Sequence, residues 1–203
     1  MPDKILMNKN TLAALKTELG EYRDALPVFE MKEQQLKGVV QTVESSIERL
    51  EQAVAETTGQ IKSWVAVLAE EGVELSALAQ VERVVTEQQE IAGVAIENFV
   101  DIHFAKTKAD PFHAPLWVDA AAEVLTDQLT QQVLLRLERK KLVLLREELA
   151  EARRMKNALK EVFIPETQES IRKIEIYLGD VERLAIGCAK LVKKKKLAKT
   201  ASA

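Results

Sequence analysis

The chain has few of the residues that build compact or disulfide-linked domains. Its 203 residues include one cysteine, seven glycines, five prolines and only 4% aromatic residues. The single cysteine, Cys188, excludes an internal disulfide, and we expect it to be a small buried side chain on a helix seam. Few aromatics beside 30% charged residues are typical of long helices with a thin core.

Motifs of catalysis and cofactor binding are also missing. The sequence contains no glycine-rich phosphate loop, no H-E-x-x-H motif and no cysteine pair. Its histidines, His103 and His113, lie near Asp101 and Asp110, but solvated loop residues are favoured over a metal site because no ligand spacing is present. We therefore expect no catalytic residues, no cofactor and no metal.

Charge and hydropathy limit the partners. No uncharged apolar run approaches the ~18 residues that span a bilayer, and the N-terminus shows no signal pattern, so we expect a cytoplasmic protein without membrane insertion. The net charge is −3, but six lysines and no acid lie in residues 190–203. Residues 193–196 are consecutive lysines without interleaved aromatics, so nucleic acid is not expected as a partner.

A heptad track near the N-terminus is the strongest pattern. Fifteen of its seventeen a/d positions are apolar, and the track predicts a supercoiled helix about 85 Å long. Pro27 is expected to kink this helix without ending it, and the polar positions Glu33 and Thr57 are interpreted as register-fixing residues. The positions are Leu12, Leu15, Leu19, Tyr22, Leu26, Phe29, Glu33, Leu36, Val40, Val43, Ile47, Leu50, Val54, Thr57, Ile61, Trp64 and Leu68.

A second helix, over residues 117–196, is the expected partner. Pro165 should bend it once, and an antiparallel pairing that sets Leu68 opposite Val124 also sets Pro27 opposite Pro165. Its seam is expected to run through Val124, Leu125, Leu129, Val133, Leu135, Leu142, Leu145, Leu149, Ala152, Met155, Leu159, Val162 and Phe163, and then Ile171, Ile174, Leu178, Val181, Ala185 and Cys188.

The segment between the helices changes character. Residues 81–86, 94–96 and 99–104 are rich in β-branched residues, and Gly93 is a candidate turn residue, so the pattern predicts a small β-hairpin. Residues 110–115 are expected to form a loop because they contain two prolines. The fold class is therefore mainly all-α, a long antiparallel two-helix coiled coil with a hairpin insertion. Residues 1–71, 72–116 and 117–203 would form one structural unit.

Several short motifs, in order along nearly the whole chain, resemble the D subunit of V/A-type ATPases, and bacterial members most. They are Lys9-Asn10 with Leu26-Pro27, residues 91–96 (IAGVAI), 115–119 (PLWVD), 154–165 (RMKNALKEVFIP) and 171–178 (IRKIEIYL), and Glu182-Arg183. After this last pair the family often has aromatic and arginine-rich residues, whereas residues 184–190 here are LAIGCAK.

The resemblance implies a central rotor shaft without catalytic chemistry of its own. Partners implied by the family are the hexamer of catalytic A and B subunits, the F subunit, and the C/d socket protein above the membrane-embedded proteolipid ring. The complex couples ATP synthesis or hydrolysis to proton or sodium translocation, and the shaft would be cytoplasmic, peripheral to the inner (plasma) membrane. A kinked, asymmetric shaft would present different faces to the three catalytic interfaces and bias their nucleotide states.

Carried onto this chain, the resemblance implies two sets of partner-binding residues. The set facing the hexamer is Leu12, Leu19, Leu26, Pro27, Pro165, Ile171, Ile174, Lys193, Lys194, Lys195 and Lys196. The set facing the F subunit or the socket is Val94, Ile96, Val100 and Ile102.

Other classes of protein fit the pattern less well. A coiled-coil adaptor of a flagellar or secretion export apparatus is the main alternative, although such adaptors are usually helical throughout. The γ subunit of F-type ATP synthases carries a far larger domain between its helices than residues 72–116 can hold. A homo-oligomeric coiled coil also remains open.

Overall fold

The computed structural model describes residues 6–68, 79–105 and 117–200; within these, side chains are described except for 63–68 and 198–200. The elements in chain order are helix α1 (Lys9–Leu68), strands β1 (Val81–Ile91) and β2 (Val94–Phe104), helix α2 (Trp117–Ala158), a π-helix (Leu159–Phe163) and helix α3 (Ile164–Thr200). The expected loop at residues 110–115, His113, and the end of α1 near Gly72 lie outside the described residues. The mainly helical fold with a central hairpin is confirmed.

The heptad seam of α1 is present as the sequence predicts. Every described a/d position from Leu12 to Ile61 is buried or half-buried, including the polar Glu33 and Thr57. Four successive positions are the most buried, with exposed fractions of 0% for Leu36, 6% for Val40 and Val43 and 8% for Ile47. The helix continues through Pro27 without ending, which confirms that this proline does not terminate it.

The chain forms two compact units, Met1–Met31 with Ala152–Ala203 (the coil unit) and Lys32–Glu151 (the hairpin unit). In the coil unit, Lys9 Nζ lies 3.5 Å from Glu182 Oε1, and Lys16 Nζ lies 2.6 Å from Glu175 Oε1. A step of seven residues forward on α1 is thus matched by seven residues backward on α3, so the helices are antiparallel. These two ion pairs lie one residue from the predicted alignment, whereas the stacked rings of Tyr22 and Phe163 in the same unit lie seven residues from it, so the antiparallel direction is confirmed and the exact register stays a prediction.

A π-helix at Leu159–Phe163 shifts the seam of the coil unit by one residue. The backbone N–H of Ile164 donates to the carbonyl of Leu159, five residues earlier instead of four. Leu159 and Thr167 are buried, whereas Val162 and Phe163 are 42% and 39% exposed. The expectation that Val162 lies on the seam is therefore wrong, because the extra residue turns it outward, whereas Phe163 lies at the edge of the seam and packs against Tyr22 of α1.

Met155, one turn before the π-helix, is also more exposed than the predicted seam requires, at 39%. The buried positions around it are Ala152 and Leu159, with Lys156 half-buried between them. The three-four spacing therefore passes through Lys156, whose long aliphatic stem can cover apolar surface. Lys156 replaces Met155 on the seam.

The hairpin unit contains a second antiparallel helix pair, formed by α1 and α2. Arg139 Nη2 lies 2.7 Å from Glu51 Oε1, and Arg146 Nη2 lies 2.7 Å from Glu44 Oε1. Seven residues forward on α2 are thus again matched by seven residues backward on α1. The buried apolar residues of these two helices in the hairpin unit are Leu36, Val40, Val43, Ile47, Val118, Ala121, Leu135, Leu145 and Leu149. These ion pairs flank an apolar seam, as expected for a two-stranded coiled coil.

Polar side chains interrupt the seam near the far end of this pair. Thr57 Oγ1 lies 3.1 Å from Gln131 Oε1, and Gln128 Nε2 donates to Thr58 Oγ1 at 3.0 Å. Gln128 is only 8% exposed. Thr57 is therefore bonded across the helix pair, as its interpretation as a register-fixing residue requires.

The β-hairpin has a two-residue turn. Ala92 and Gly93 have φ values of 51° and 83°, the left-handed conformation that type I′ turns need at both central residues. The strands pair from Ile91 with Val94 to Val81 with Phe104, with irregularities between Val81 and Arg83 and between Val85 and Thr86. Strand β1 extends beyond the predicted residue 86, because cross-strand pairing includes the Glu and Gln residues at 87–90 despite their low strand propensity.

Candidate interaction surfaces

Among the described residues, no group of three or more His, Cys, Asp or Glu side chains is placed to hold a metal ion. The Nε2 atom of His103 lies 3.9 Å from a carboxylate oxygen of Asp101, and both side chains are more than half exposed. Such a pair on the hairpin surface is a weak, solvated contact.

The last part of α3 is the first candidate surface. Lys9, the first residue of α1, is paired with Glu182, and α3 continues beyond this level. Residues 183–197 (the terminal segment) are all exposed, including Leu184 at 68% and Leu191 at 62%. Cys188 is exposed as well. The expectation of a buried Cys188 is wrong, because the α1 helix that covers the seam begins at the level of Glu182.

The lysines of the terminal segment add charge to this apolar surface. Lys190 and residues 193–196 lie on about two turns of one helix. Consecutive helical residues point in directions about 100° apart, so four lysines in a row surround the helix with positive charge. The segment can therefore contact an apolar partner with its leucines and an acidic partner with its lysines.

The remaining residues predicted to face a catalytic hexamer have different environments. Pro27 and Pro165 are exposed, whereas Leu12, Leu19 and Leu26 are half-buried on the α1 seam. Ile171 and Ile174 are 8% and 0% exposed. The prediction that Ile171 and Ile174 contact a partner directly is corrected here, because both side chains are buried inside the coil unit itself.

The hairpin is the second surface. Val100 is 54% exposed, and Val94 and Ile102 are half-buried. Ile96, in contrast, is 2% exposed and borders a cavity of about 80 Å³ between the hairpin and α2. Direct contact of Ile96 with a partner is therefore corrected, since this side chain anchors the hairpin to its own chain.

The contacts that hold the hairpin were not predicted. Lys140 Nζ on α2 donates to Glu97 Oε2 on β2 at 2.8 Å. Lys32 of α1 donates to Glu148 of α2, and a Cβ atom built on Gly93 would lie 3.9 Å from the same Lys32 ammonium. A periodic apolar pattern carries no information about such pairs, because their partners are far apart in the chain.

The pKa of Tyr22, in the coil unit, departs clearly from its usual value. The Tyr22 hydroxyl donates to Glu18 Oε1 at 2.6 Å. This hydrogen bond raises the pKa of Tyr22, and burial and the negative charges of Glu18 and Glu21 act in the same direction. Tyr22 therefore stays protonated to a higher pH than an ordinary tyrosine.

None of the described helices is both long and apolar enough to cross a membrane. An antiparallel coiled coil with an inserted hairpin, and with an exposed apolar and basic helix end, defines a helical subunit suited to contacts with other proteins. The family model for the D subunit of ATP synthase matches residues 11–194. The chain belongs to the ATP synthase D-subunit family.

Individual relatives agree with this assignment. The V-type ATP synthase D subunit of Borreliella burgdorferi is 33% identical over 192 residues, which cover 94% of each chain. The proteins of the same name from Chlamydia pneumoniae and Chlamydia abortus are 22% and 25% identical, over 96% of this chain. The resemblance stated from the motifs is confirmed, and the chain is a V-type ATP synthase subunit.

Proposed function

We propose that this chain is the central-stalk rotor of a V-type ATP synthase. It would transmit torque between a hexamer of catalytic A and B subunits and the membrane ring, so that ATP synthesis or hydrolysis is coupled to proton or sodium translocation. The chain itself would perform no catalysis, and the chemistry would belong to the other subunits. It would lie on the cytoplasmic side of the membrane, held there by its partners.

The observation that supports this proposal most is the full-length similarity to a V-type D subunit, with 94% of both chains aligned. The antiparallel coil unit is consistent with a shaft, since two supercoiled helices resist twisting and bending better than one. The π-helix makes the coil irregular, so its faces differ around the axis. A shaft with unequal faces can favour different nucleotide states at three surrounding catalytic interfaces.

The hexamer would contact the terminal segment and the two exposed prolines, Pro27 and Pro165. Leu184 and Leu191 would meet an apolar lining, while Lys193–Lys196 would lie near acidic residues of the catalytic subunits. The half-buried Leu12, Leu19 and Leu26 would contribute the edges of their side chains. Ile171 and Ile174 would act indirectly, by keeping the two helices of the coil unit together.

The hairpin would contact the F subunit or the socket protein, and through the socket the proteolipid ring. Val100 is the apolar residue of the proposed hairpin set with the largest exposure, and Val94 and Ile102 are partly accessible beside it. Ile96 would hold the hairpin in place from its inner face. Replacing Val100 with aspartate should therefore weaken binding of the F subunit or the socket while leaving the coil unit folded.

The first test is purification of the tagged chain from its native host, with identification of the bound proteins and their stoichiometry. One copy of this chain per three A and three B subunits, with the F subunit, is the expected result. Recovery with components of an export apparatus, or without ATPase subunits, would refute the rotor assignment. Changing residues 193–196 to glutamine should weaken hexamer binding, and changing them to arginine should preserve it.

Rotation itself can be tested through Cys188, the only cysteine of the chain. A disulfide from Cys188 to a cysteine introduced on a facing catalytic subunit should stop ATP turnover, and reduction should restore it. The Cys188→Ala variant in the same complex is the control. Full turnover in the crosslinked complex would show that the chain does not rotate against the hexamer.

A further inference from the structure

Lys32 lies where three elements of the hairpin unit meet. Its ammonium contacts the Glu148 carboxylate on α2 and lies beside Gly93 in the hairpin turn. The side chains of Lys32 and Glu148 are 28% and 30% exposed, so this pair is screened less than the surface pair of Arg139 and Glu51, at 60% and 47%. A half-buried ion pair therefore stands directly at the hairpin tip.

A second ion pair joins strand β2 of the hairpin to helix α2. Glu97 accepts from Lys140, and the buried Ile96 lies next to Glu97 on β2. The cavity of about 80 Å³ is lined there by Ile96 and by Leu137 and Leu144 of α2. One fully buried side chain beside a cavity is a small apolar contact, so burial alone holds this end of the hairpin weakly.

The spacing of these contacts shows how the hairpin lies on α2. From Gly93 to Glu97 is four strand residues, or about 13 Å. From Glu148 to Lys140 is eight helical residues, or about 12 Å. The two distances agree, so the first part of β2 runs along α2 with the turn at the Lys32–Glu148 pair.

We propose that the Lys32–Glu148 pair is a latch that holds the hairpin tip against the coiled coil and can open without unfolding it. A two-stranded hairpin is marginally stable by itself in water. Its tip depends on support from the helices, and the Lys32 ammonium of α1, paired with Glu148 of α2, lies beside the turn at Gly93. Loss of this charge releases the tip, while Leu36, Val40 and Val43 still hold the α1 seam. This proposal does not depend on the rotor assignment.

The latch is tested in the full chain by amide hydrogen exchange of the Lys32→Met variant. Methionine keeps an unbranched apolar side chain but removes the charge. Protection of the hairpin-tip amides, residues 88–97, is expected to fall by about tenfold, while amides of residues 36–47 change by less than about threefold. Arg139→Met is the matched control, because it breaks an ion pair of α1 and α2 that involves no hairpin residue.

A charge exchange separates the latch from general damage to the site. The double variant Lys32→Glu with Glu148→Lys restores an opposite-charge pair and is expected to recover most of the tip protection. Unchanged tip exchange in Lys32→Met would overturn the proposal. An equal loss in Arg139→Met, or failure of the exchanged pair to recover protection, would overturn it as well.

Discussion

Tyr22 of α1 and Phe163 at the end of the π-helix stack on one another, with ring centroids 5.5 Å apart and planes inclined by 26°. The contact shows that Phe163, although 39% exposed, joins the two helices of the coil unit at the edge of the seam. An aromatic pair at this distance contributes about 0.5–1.5 kcal/mol beyond its buried area.

A double-mutant cycle should detect that contribution. Tyr22→Leu and Phe163→Leu, alone and together, are expected to give a coupling free energy of about 1 kcal/mol in urea unfolding. The same cycle with Tyr22→Leu and Phe104→Leu, a phenylalanine of the hairpin unit, is the control and should be additive. A coupling near zero for Tyr22 and Phe163 would show that the stacking does not stabilise the coil.

The raised pKa of Tyr22 also predicts that the stability of the chain falls at alkaline pH. The pKa of Tyr22 is raised in the folded chain, so folding favours the protonated phenol. This contribution to the free energy of unfolding is fully present below the pKa of the unfolded chain, near 10. It is lost as the pH rises through the pKa of the folded chain. In a Tyr177→Phe chain, where Tyr22 is the only tyrosine, tyrosinate absorbance should titrate above pH 10. Glu18→Ala should lower the midpoint. An identical midpoint with and without Glu18 would contradict the assigned cause.

Leu36 should be among the most sensitive positions of the hairpin unit. It has no exposed surface, so Leu36→Ala is expected to lower the free energy of unfolding by about 2–5 kcal/mol. Leu184→Ala makes the same chemical change at a site that is 68% exposed and should cost less than about 0.5 kcal/mol. Similar losses in chemical denaturation for both variants would mean that the described seam is not the core.

Gly93 and Gly38 should respond to alanine with opposite signs. Gly93 has a φ of +83°, which costs an alanine about 1–2 kcal/mol, so exchange protection of the β2 amides should fall about tenfold in Gly93→Ala. Gly38 lies within α1 with no atom near its Cβ position, and Gly38→Ala should raise the free energy of unfolding by about 0.5–1 kcal/mol. Destabilisation by both changes would contradict this difference in backbone conformation.

Gln128 is expected to reduce stability in its present position. Its Oε1 atom is buried and has no hydrogen-bond partner among the described residues, which destabilises the fold by about 1–3 kcal/mol. The hydrogen bond from its Nε2 atom to Thr58 stabilises the fold by only about 1 kcal/mol. Gln128→Leu should therefore raise the free energy of unfolding by about 1 kcal/mol. Gln132→Leu, at an exposed position, should change it little, and a clear loss in Gln128→Leu would be contrary to this expectation.

The helical part of the fold follows from the sequence because a seam of apolar residues repeats at a spacing that only a supercoiled helix can bury. The described positions from Leu12 to Ile61 all follow that spacing. The turn at Gly93 is predictable for a similar reason, since a φ above zero favours glycine over residues with a side chain. These features are local, so neighbouring residues suffice to indicate them.

The surfaces are predictable only in part. Exposure of Val100 and Lys193–Lys196 agrees with their assignment to partner contacts, but Ile96, Ile171 and Ile174 are buried within the chain. An apolar residue in a sequence shows a need for burial without showing whether its own chain or a partner provides it. The Lys32–Glu148 pair was missed because charged residues occupy many helix positions without regular spacing.

The π-helix has a consequence for how the coil unit selects its alignment. A uniform heptad seam looks the same after a shift of seven residues, so sliding one helix along the other by two turns would preserve most apolar contacts. The seam interval from Leu159 to Ile164 breaks that translational symmetry at a single place. Any slide would carry this irregularity away from the α1 residues that match it, Tyr22 among them. The irregular turn therefore distinguishes one alignment of the two helices from the otherwise equivalent alignments shifted by seven residues.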